Sequence, residues 1–265
     1  MSTSKPPLLK GEGQAGSRGE VNTLLTMKEF LVIIPVYNEK STVYDVALRT
    51  IAACLDFADI LFVDDGSSDG TNVVLDSIQK EHPYIFVHHK KNAGYGSSLI
   101  FGFEFGAKKN YPYLITMDCD EQHQPKDLER FANYNRKIDV VSGSRYAPKS
   151  KSIGIVPPED RVEINRRITT GINKKYGWYI TDAFCGFKRY TTSSLKNYKF
   201  TENGYAFPME FWAYAKKNNL SLAEIAVDKI YITDDRSFGE DLDKKRKRYK
   251  YYLEAWRSAE RNLNF

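Results

Sequence analysis

Apolar residues along this chain fall into short β-branched runs separated by stretches of helical spacing, and that alternation predicts an α/β fold. Phe30-Leu-Val-Ile-Ile-Pro35 is a continuous apolar run of strand length, the pattern of a strand buried on both faces. Ser41-Thr42 opens a helical stretch in which Val43, Val46, Ala47, Thr50, Ile51 and Leu55 share one face. Asp59-Ile-Leu-Phe-Val63 is the second strand, and Ser68 or Asp69 caps the helix expected from Gly70 to about Lys80. Tyr84 to His88 is a third strand, Gly96 to Lys109 a helix, and Tyr113 to Met117 a fourth strand. A helix over Asp127 to Arg136 and a strand over Ile138 to Val141 follow.

Strands alternating with helices at this spacing specify a doubly wound, mostly parallel sheet with right-handed crossovers. After Gly143 the pattern loosens. Lys149 to Asp160 reads as a loop, Arg161 to Tyr176 and Ala206 to Asn218 as helices, Leu222 to Ile232 as a late strand, and Asp243 to Asn262 as a closing helix. Ligands of such sheets bind beyond the carboxyl ends of the strands. Three strands end in polar clusters there: Pro35-Val-Tyr-Asn-Glu39, Asp64-Asp65-Gly66-Ser67 and Asp118-Cys-Asp120.

Composition narrows the class. An apolar fraction of 42% and a charged fraction of 28% are those of a core-forming domain. The exception is residues 1–27, rich in Ser, Pro, Gly and Lys without apolar period, expected to be a disordered tail that is neither signal nor transit peptide; Met27 is an alternative start. Three cysteines without paired spacing fit a reducing compartment, and no apolar run approaches the roughly 20 residues of a membrane span. A cytoplasmic location is the expectation. The domain division is then a tail over 1–27, a catalytic domain over 28–240, and a basic, aromatic C-terminal helix over 241–265. Lys244-Lys-Arg-Lys-Arg-Tyr-Lys250 is either a solvated face or a patch for anionic lipid headgroups, which makes the chain a candidate peripheral protein on the cytoplasmic membrane face. Asp234, Asp235, Glu240, Asp241 and Asp243 just before it argue against nucleic acid.

The strand-end clusters carry the chemistry. Asp118 and Asp120 flank one residue on a turn, where they either ligate a hard divalent cation or cap the next turn; Glu121 to Pro125 supplies further donors. A cation there would neutralise charge on a departing diphosphate. Asp64 or Asp65 can accept from a base N–H or a ribose hydroxyl, or simply build the turn and helix start. Tyr37 offers a ring to a base and Glu39 an acceptor to ribose. Gly94-Tyr-Gly96 is no dinucleotide fingerprint, because Leu99 stands where its third glycine belongs, but its turn exposes backbone N–H groups suited to a phosphate. Arg145, Arg166, Arg167 and Arg236 are forks of the kind that grip phosphate. Asp182 and Glu210 are the remaining acids in polar-aromatic settings, each a candidate base or acceptor-positioning group. His82, His88, His89 and His123 lack metal-binding spacing.

Taken in order, these stretches resemble the inverting glycosyltransferases of family 2, and within them the polyprenyl-phosphate (dolichyl-phosphate) mannosyltransferases and glucosyltransferases. The similarity runs from about Phe30 to Gly239. It rests on Met117-Asp-Cys-Asp120, with Cys in place of the usual Ala, and on Gly143-Ser-Arg-Tyr146. Asp182 through Phe187, Gly204-Tyr-Ala-Phe207 through Glu210, and Asp235-Arg236 through Gly239 complete it. The resemblance implies a GT-A fold in a single catalytic domain. It implies that Asp118 and Asp120, with Gln122 nearby, hold Mg²⁺ or Mn²⁺ on the donor diphosphate. Pro35, Tyr37, Glu39 and Asp64 or Asp65 would hold the nucleoside, and Arg145, Arg166 or Arg167, and Arg236 would face donor or acceptor phosphates.

The expected reaction moves a hexose from GDP-mannose or UDP-glucose to a polyprenyl phosphate with inversion. A phosphate acceptor is already anionic, so Asp182 orients; a sugar or glycolipid hydroxyl, the alternative acceptor, would make Asp182 or Glu210 the base. A nucleotidyltransferase would need a Gly-rich, Lys/Arg-bearing loop after the first strand, which Pro35 to Glu39 is not. A non-catalytic nucleotide-binding or membrane-docking subunit is the remaining reading.

Overall fold

The computed structural model describes residues 28–196, 198–232 and 241–265, so the expected tail over 1–27 and the candidate Arg236 lie outside the described residues. At the centre of the sheet lies β1 (Phe30–Val36), whose alternate residues face opposite sides. Leu31 and Ile33 enter one core, Phe30, Val32 and Ile34 the other. With both faces covered there is no polar side, and so the run is apolar without alternation. Each such side chain contributes about 1.5–3 kcal/mol on leaving water. The first core receives α3 (Tyr95–Lys108), α5 (Glu159–Tyr176), α6 (Phe207–Lys217) and α7 (Lys245–Asn262). The second receives α1 (Val43–Cys54), α2 (Thr71–Glu81) and the short α4 (Leu128–Ala132).

The seven-stranded sheet runs β3-β2-β1-β4-β7-β5-β8, where β2 is Ala58–Asp64, β3 Ile85–His89, β4 Tyr113–Thr116, β5 Val140–Ser144, β7 Lys188–Thr191 and β8 Leu222–Ala226. All pairings are parallel except those of β7, which is antiparallel to both β4 and β5. The strand order reverses between β1 and β4, and the crevice at such a switch point is where open α/β sheets take ligands.

Several elements differ from expectation. The strand β7 reads Lys-Arg-Tyr-Thr and carries no strand signal, yet Lys188 and Arg189 are both buried. Arg189 donates to the carbonyls of Tyr134, Asn135 and Ile138 at 2.9, 3.0 and 2.8 Å, so its charge caps a loop that would otherwise bury unpaired oxygens. The helix expected over 127–136 is a 3-10 turn followed by the five-residue α4. The late strand is two strands in two sheets: β8 joins the main sheet, whereas β9 (Lys229–Tyr231) pairs in parallel with β6 (Ser152–Gly154), a strand inside the stretch expected to be loop. Gly70, not Ser68 or Asp69, is the cap residue of α2; Asp69 instead accepts from the Thr71 N–H at 3.0 Å.

Candidate active site

Asp118 follows β4 at the switch point, and its neighbours fix it on three sides. Its Oδ1 accepts from the Tyr95 hydroxyl at 2.9 Å, and its backbone N–H donates to His123 Nδ1 at 3.0 Å. That bond makes Nδ1 an acceptor and places the imidazole proton on Nε2. Burial pushes the His123 pKa down to about 4, so the ring is neutral, and the 3.6 Å approach of Nδ1 to Asp118 Oδ2 is not an ion pair. The Tyr95 phenol is pushed well above its ordinary value by burial and by the Asp118 charge, and therefore stays a donor. Gly186 closes the third side: a Cβ there would stand 2.4 Å from Asp118 Oδ2 and 2.7 Å from Oδ1. Only a residue without a side chain leaves the carboxylate its place.

Asp120 lies across the same turn, and its charge adds to that of Asp118 in raising the Tyr95 pKa. Its Oδ1 accepts from the Gln122 N–H at 3.2 Å, and Glu121 between them takes a left-handed φ of 61°. Two oxygen-donor side chains with Gln122 beside them suit a hard cation that keeps substrate phosphates in its shell. Among the described residues no group of three or more His, Cys, Asp or Glu could hold a metal on its own.

On the β1–β2 side the expected nucleoside residues sit at the same sheet edge. Pro35 lies near the end of β1, and Tyr37 is exposed just beyond it. Glu39 Oε2 accepts from Thr42 Oγ1 at 2.7 Å, and its N–H donates to Thr71 Oγ1 at 2.9 Å. Asp64 and Asp65 are buried and build the turn. Asp64 accepts from the Ser67 N–H at 3.0 Å and bonds His89 Nδ1 at 2.8 Å. Asp65 accepts from the N–H groups of Ala93 and Gly94 at 2.9 and 2.8 Å and pairs with Lys90. The Gly94 amide thus serves Asp65 rather than facing the crevice. Its φ of +102° starts α3 and aims Tyr95 at Asp118.

Beyond β5, Arg145 and Asp182 form a buried bidentate pair, Nε to Oδ2 at 2.7 Å and Nη2 to Oδ1 at 3.1 Å. Asp182 also accepts from Asn165 Nδ2 at 2.7 Å and the Phe184 N–H at 3.0 Å. Burial alone would raise its pKa, but the Arg145 guanidinium and these bonds hold it well below the carboxylate range. A carboxylate so committed is a poor proton acceptor. Glu210 is likewise occupied: it accepts from Tyr198 Oη, the Thr201 hydroxyl and the N–H groups of Thr201 and Glu202, at 2.7 to 3.1 Å. These bonds pin the 201–202 loop to α6. Arg166 and Arg167 lie on the exposed side of α5, the latter over the Tyr249 ring at 4.3 Å. The inward face of α5 contributes Asn165 instead, so these two arginines do not join the Arg145–Asp182 network.

Local sequence pattern does not announce the parts played by Tyr95, His123, Asn165 and Lys188. Tyr95 stands between two glycines of a turn, and His123, one of the further donors in the Glu121–Pro125 stretch, holds the Asp118 backbone through Nδ1. Lys188 sits buried beneath the site, donating to the Cys185 carbonyl, its pKa lowered by burial.

Residues 31–199 match the family profile described as glycosyl transferase family 2. Polyprenol monophosphomannose synthase of Mycolicibacterium smegmatis is 30% identical over 225 residues, 82% of this chain and 83% of that protein. Undecaprenyl-phosphate mannosyltransferase of Micrococcus luteus is 30% identical over 79% of this chain and 85% of its own. UDP-N-acetylglucosamine–dolichyl-phosphate N-acetylglucosaminyltransferase of Methanococcus voltae is 27% identical over 81% and 91%. Among solved structures, glucosyl-3-phosphoglycerate synthase from Mycobacterium tuberculosis with Mn²⁺ and UDP-glucose superposes with a TM-score of 0.65 at 15% identity, covering 88% of this chain and 79% of that one. The shared fold is the GT-A type.

Proposed function

This chain belongs to glycosyl transferase family 2 and is a glycosyltransferase, and from that premise we propose that it moves a hexose from a nucleotide-sugar to a polyprenyl phosphate with inversion. GDP-mannose is the donor to try first, since two of the relatives are named for mannose, and UDP-glucose is the second. The acceptor class follows the names of the relatives, and the state of the acids supports it. Asp182 and Glu210, the two candidate bases, are both engaged in several hydrogen bonds, Asp182 with Arg145 and Asn165 and Glu210 with Tyr198 and Thr201, which supports a reaction that asks neither for a proton transfer. An enzyme transferring to a hydroxyl needs such a base, whereas an ionised phosphate attacks without one. That is the observation on which this reading turns.

Asp118 and Asp120, with Gln122 beside them, are the residues that would hold Mg²⁺ or Mn²⁺. The cation would supply charge neutralisation for the departing nucleoside diphosphate. The protein's own part is positioning. Tyr95 and His123 hold the Asp118 carboxylate and backbone in one orientation, Asp182 fixes the Arg145 fork, and Asp64 and Asp65 hold the β2 turn that flanks Tyr37 and Glu39. In-line attack by a held phosphate then depends on alignment, a source of several kcal/mol in rate.

The test pairs donor and acceptor. Purified chain is assayed with GDP-mannose and UDP-glucose, each with and without polyprenyl phosphate, in Mg²⁺ or Mn²⁺. Transfer to the lipid phosphate by wild type, lost on Asp120→Ala at saturating metal, is expected. Asp120→Ala turnover within a few-fold of wild type would end the mechanism, and transfer only to a sugar hydroxyl would replace the acceptor.

A further inference from the structure

The ribbon formed by β6 and β9 carries an apolar face that the transfer reaction does not use. Ser152 pairs with Lys229, Ile153 with Ile230 and Gly154 with Tyr231, and the Ile155 N–H donates to the Tyr231 carbonyl at 2.7 Å. Paired residues of parallel strands point to the same side, so Ile153 and Ile230 share one face, and Gly154, at a φ of +84°, turns the chain before Ile155. Ile230 is buried at its base. Ile153, Ile155 and Ile232 remain 43%, 40% and 58% exposed, and Val156 beyond them is 87% exposed. Three exposed aliphatic side chains within four residues, Ile153, Ile155 and Val156, with Ile232 just past the partner strand, are unlike singly scattered surface residues, and such a concentration marks a site of contact.

Its surroundings indicate with what. The ribbon springs from the ends of β5 and β8, on the sheet edge that bears Asp118, Asp120 and Arg145: Ser150 Oγ donates to the Ser144 carbonyl at 2.7 Å, and the Val227 N–H to the same carbonyl at 2.9 Å. Lys149 and Lys151 are exposed at its start. The first turn of α7 is brought alongside, because Arg248 pairs with Asp160 and Lys245 with Glu163 just after the ribbon. Those pairs tie the start of α7, with its exposed Lys244, Lys245, Arg246 and Lys247, to the segment that follows the ribbon. Lys245 and Lys247 are paired with Glu163 and Asp241. Glu159, Asp160 and Asp243 are further acids there, and Asp234, Asp235 and Glu240 precede the run in sequence. Aliphatic side chains at a tip with lysines and arginines on the flanks match an anionic bilayer, in which apolar groups enter the acyl boundary and cations meet headgroups. Among the described residues no helix is long and apolar enough to cross a membrane, so attachment by these residues would be at the surface.

We propose that the β6–β9 ribbon is a membrane-docking element, with Ile153, Ile155, Val156 and Ile232 entering an anionic lipid surface and the basic start of α7 meeting its headgroups. The proposal goes beyond the transferase reading: the basic run alone suggests a charged face, and the ribbon supplies the inserting part. It also orients the molecule, with the catalytic edge of the sheet turned to the bilayer.

The experiment is vesicle co-sedimentation of the full chain with phosphatidylcholine alone and with phosphatidylcholine containing phosphatidylglycerol. Wild type, Val156→Asp, and the pair Lys244→Glu with Arg246→Glu are compared. Wild type is expected to sediment with the anionic vesicles. Val156→Asp should lower the partition coefficient about tenfold, the effect of withdrawing one buried aliphatic side chain, and the charge reversal should abolish the preference for phosphatidylglycerol. Val156 is a surface residue, so melting temperature and donor binding should not move. Transfer to a short-chain, water-soluble prenyl phosphate should survive Val156→Asp, while transfer to a vesicle-embedded one falls.

Wild type that ignores both vesicles, or a Val156→Asp variant that binds as well as wild type, overturns the proposal. So does a wild-type dimer in light scattering that Val156→Asp dissociates without any vesicle binding, since the ribbon is then an interface between copies. Vesicle binding that needs Val156 in a protein inert toward every prenyl phosphate upholds docking and sinks the acceptor assignment alone.

Discussion

Gly186→Ala tests the site with one methyl group. The new Cβ would stand 2.4 Å from Asp118 Oδ2, 2.7 Å from Oδ1 and 2.8 Å from the Tyr95 hydroxyl. Reaching even a tight 3.0 Å contact with Oδ2 requires a shift of 0.6 Å, the difference between 3.0 and 2.4 Å, and an ordinary 3.4 Å contact requires 1.0 Å. The carboxylate must give, because Gly186 is held by the Thr116 hydroxyl, which donates to its carbonyl at 2.6 Å. Overpacking costs roughly 1–3 kcal/mol, while the lost backbone freedom of glycine returns about 0.4–1 kcal/mol. The net, about 0–2.6 kcal/mol of destabilisation, leaves a folded protein. Catalysis responds more steeply, since a misplacement near 1 Å costs on the order of 10²-fold. We therefore expect kcat/KM to fall about 10- to 100-fold, with a higher metal concentration for half-maximal rate and a modest drop in Tm. The assay is a metal titration of donor turnover beside a thermal melt. A variant that keeps its rate within about threefold and its metal demand unchanged would show that the Asp118 carboxylate does not serve the reaction.

Asp182→Asn should cost about 3–5 kcal/mol of stability in urea unfolding, because it leaves the buried Arg145 charge without its partner; a loss below about 1 kcal/mol would show the pair to be dispensable. Asp182, whose folded pKa is depressed, contributes stability present above its unfolded pKa of about 3.9 and lost as pH falls through the folded value. The wild-type advantage over Asp182→Asn should hence persist through mildly acidic buffers. His89 runs the other way. Partial burial lowers its pKa, but its bonds to Asp64 at 2.8 Å and Asp76 at 3.1 Å outweigh that and raise it. The stability it adds is complete below its unfolded pKa of about 6.5 and is lost as pH rises through the higher folded value. Unfolding midpoints of His89→Gln should therefore lie further below wild type at about pH 5.5 than at about pH 8.5, and an equal gap at both would remove the ion-pair account.

Much of the fold was legible because parallel strands advertise themselves. Phe30 to Val36 and Ala58 to Asp64 are buried on both faces, and that demands an apolar, β-branched run whatever packs against it. The sheet edge that gathers Tyr37, Glu39, Asp64, Asp65, Asp118 and Asp120 followed from the same alternation, since parallel strands all deliver their carboxyl ends to one side. What each side chain does there was not legible. Whether Asp65 holds a ligand or the amides of Ala93 and Gly94, and whether Asp182 takes a proton or grips Arg145, depends on groups 28 to 37 residues away in sequence.

The strand β7 marks the boundary most clearly. Local preference reads Lys188-Arg189-Tyr190-Thr191 as surface, and only the carbonyls of Tyr134, Asn135 and Ile138 make Arg189 an interior residue. The sequence by itself determined which segments leave water and with what period, because hydrophobic burial is a property of each side chain. The tertiary structure alone decided which polar groups meet, because a hydrogen bond or ion pair belongs to two partners and exists only where the fold brings both to one place.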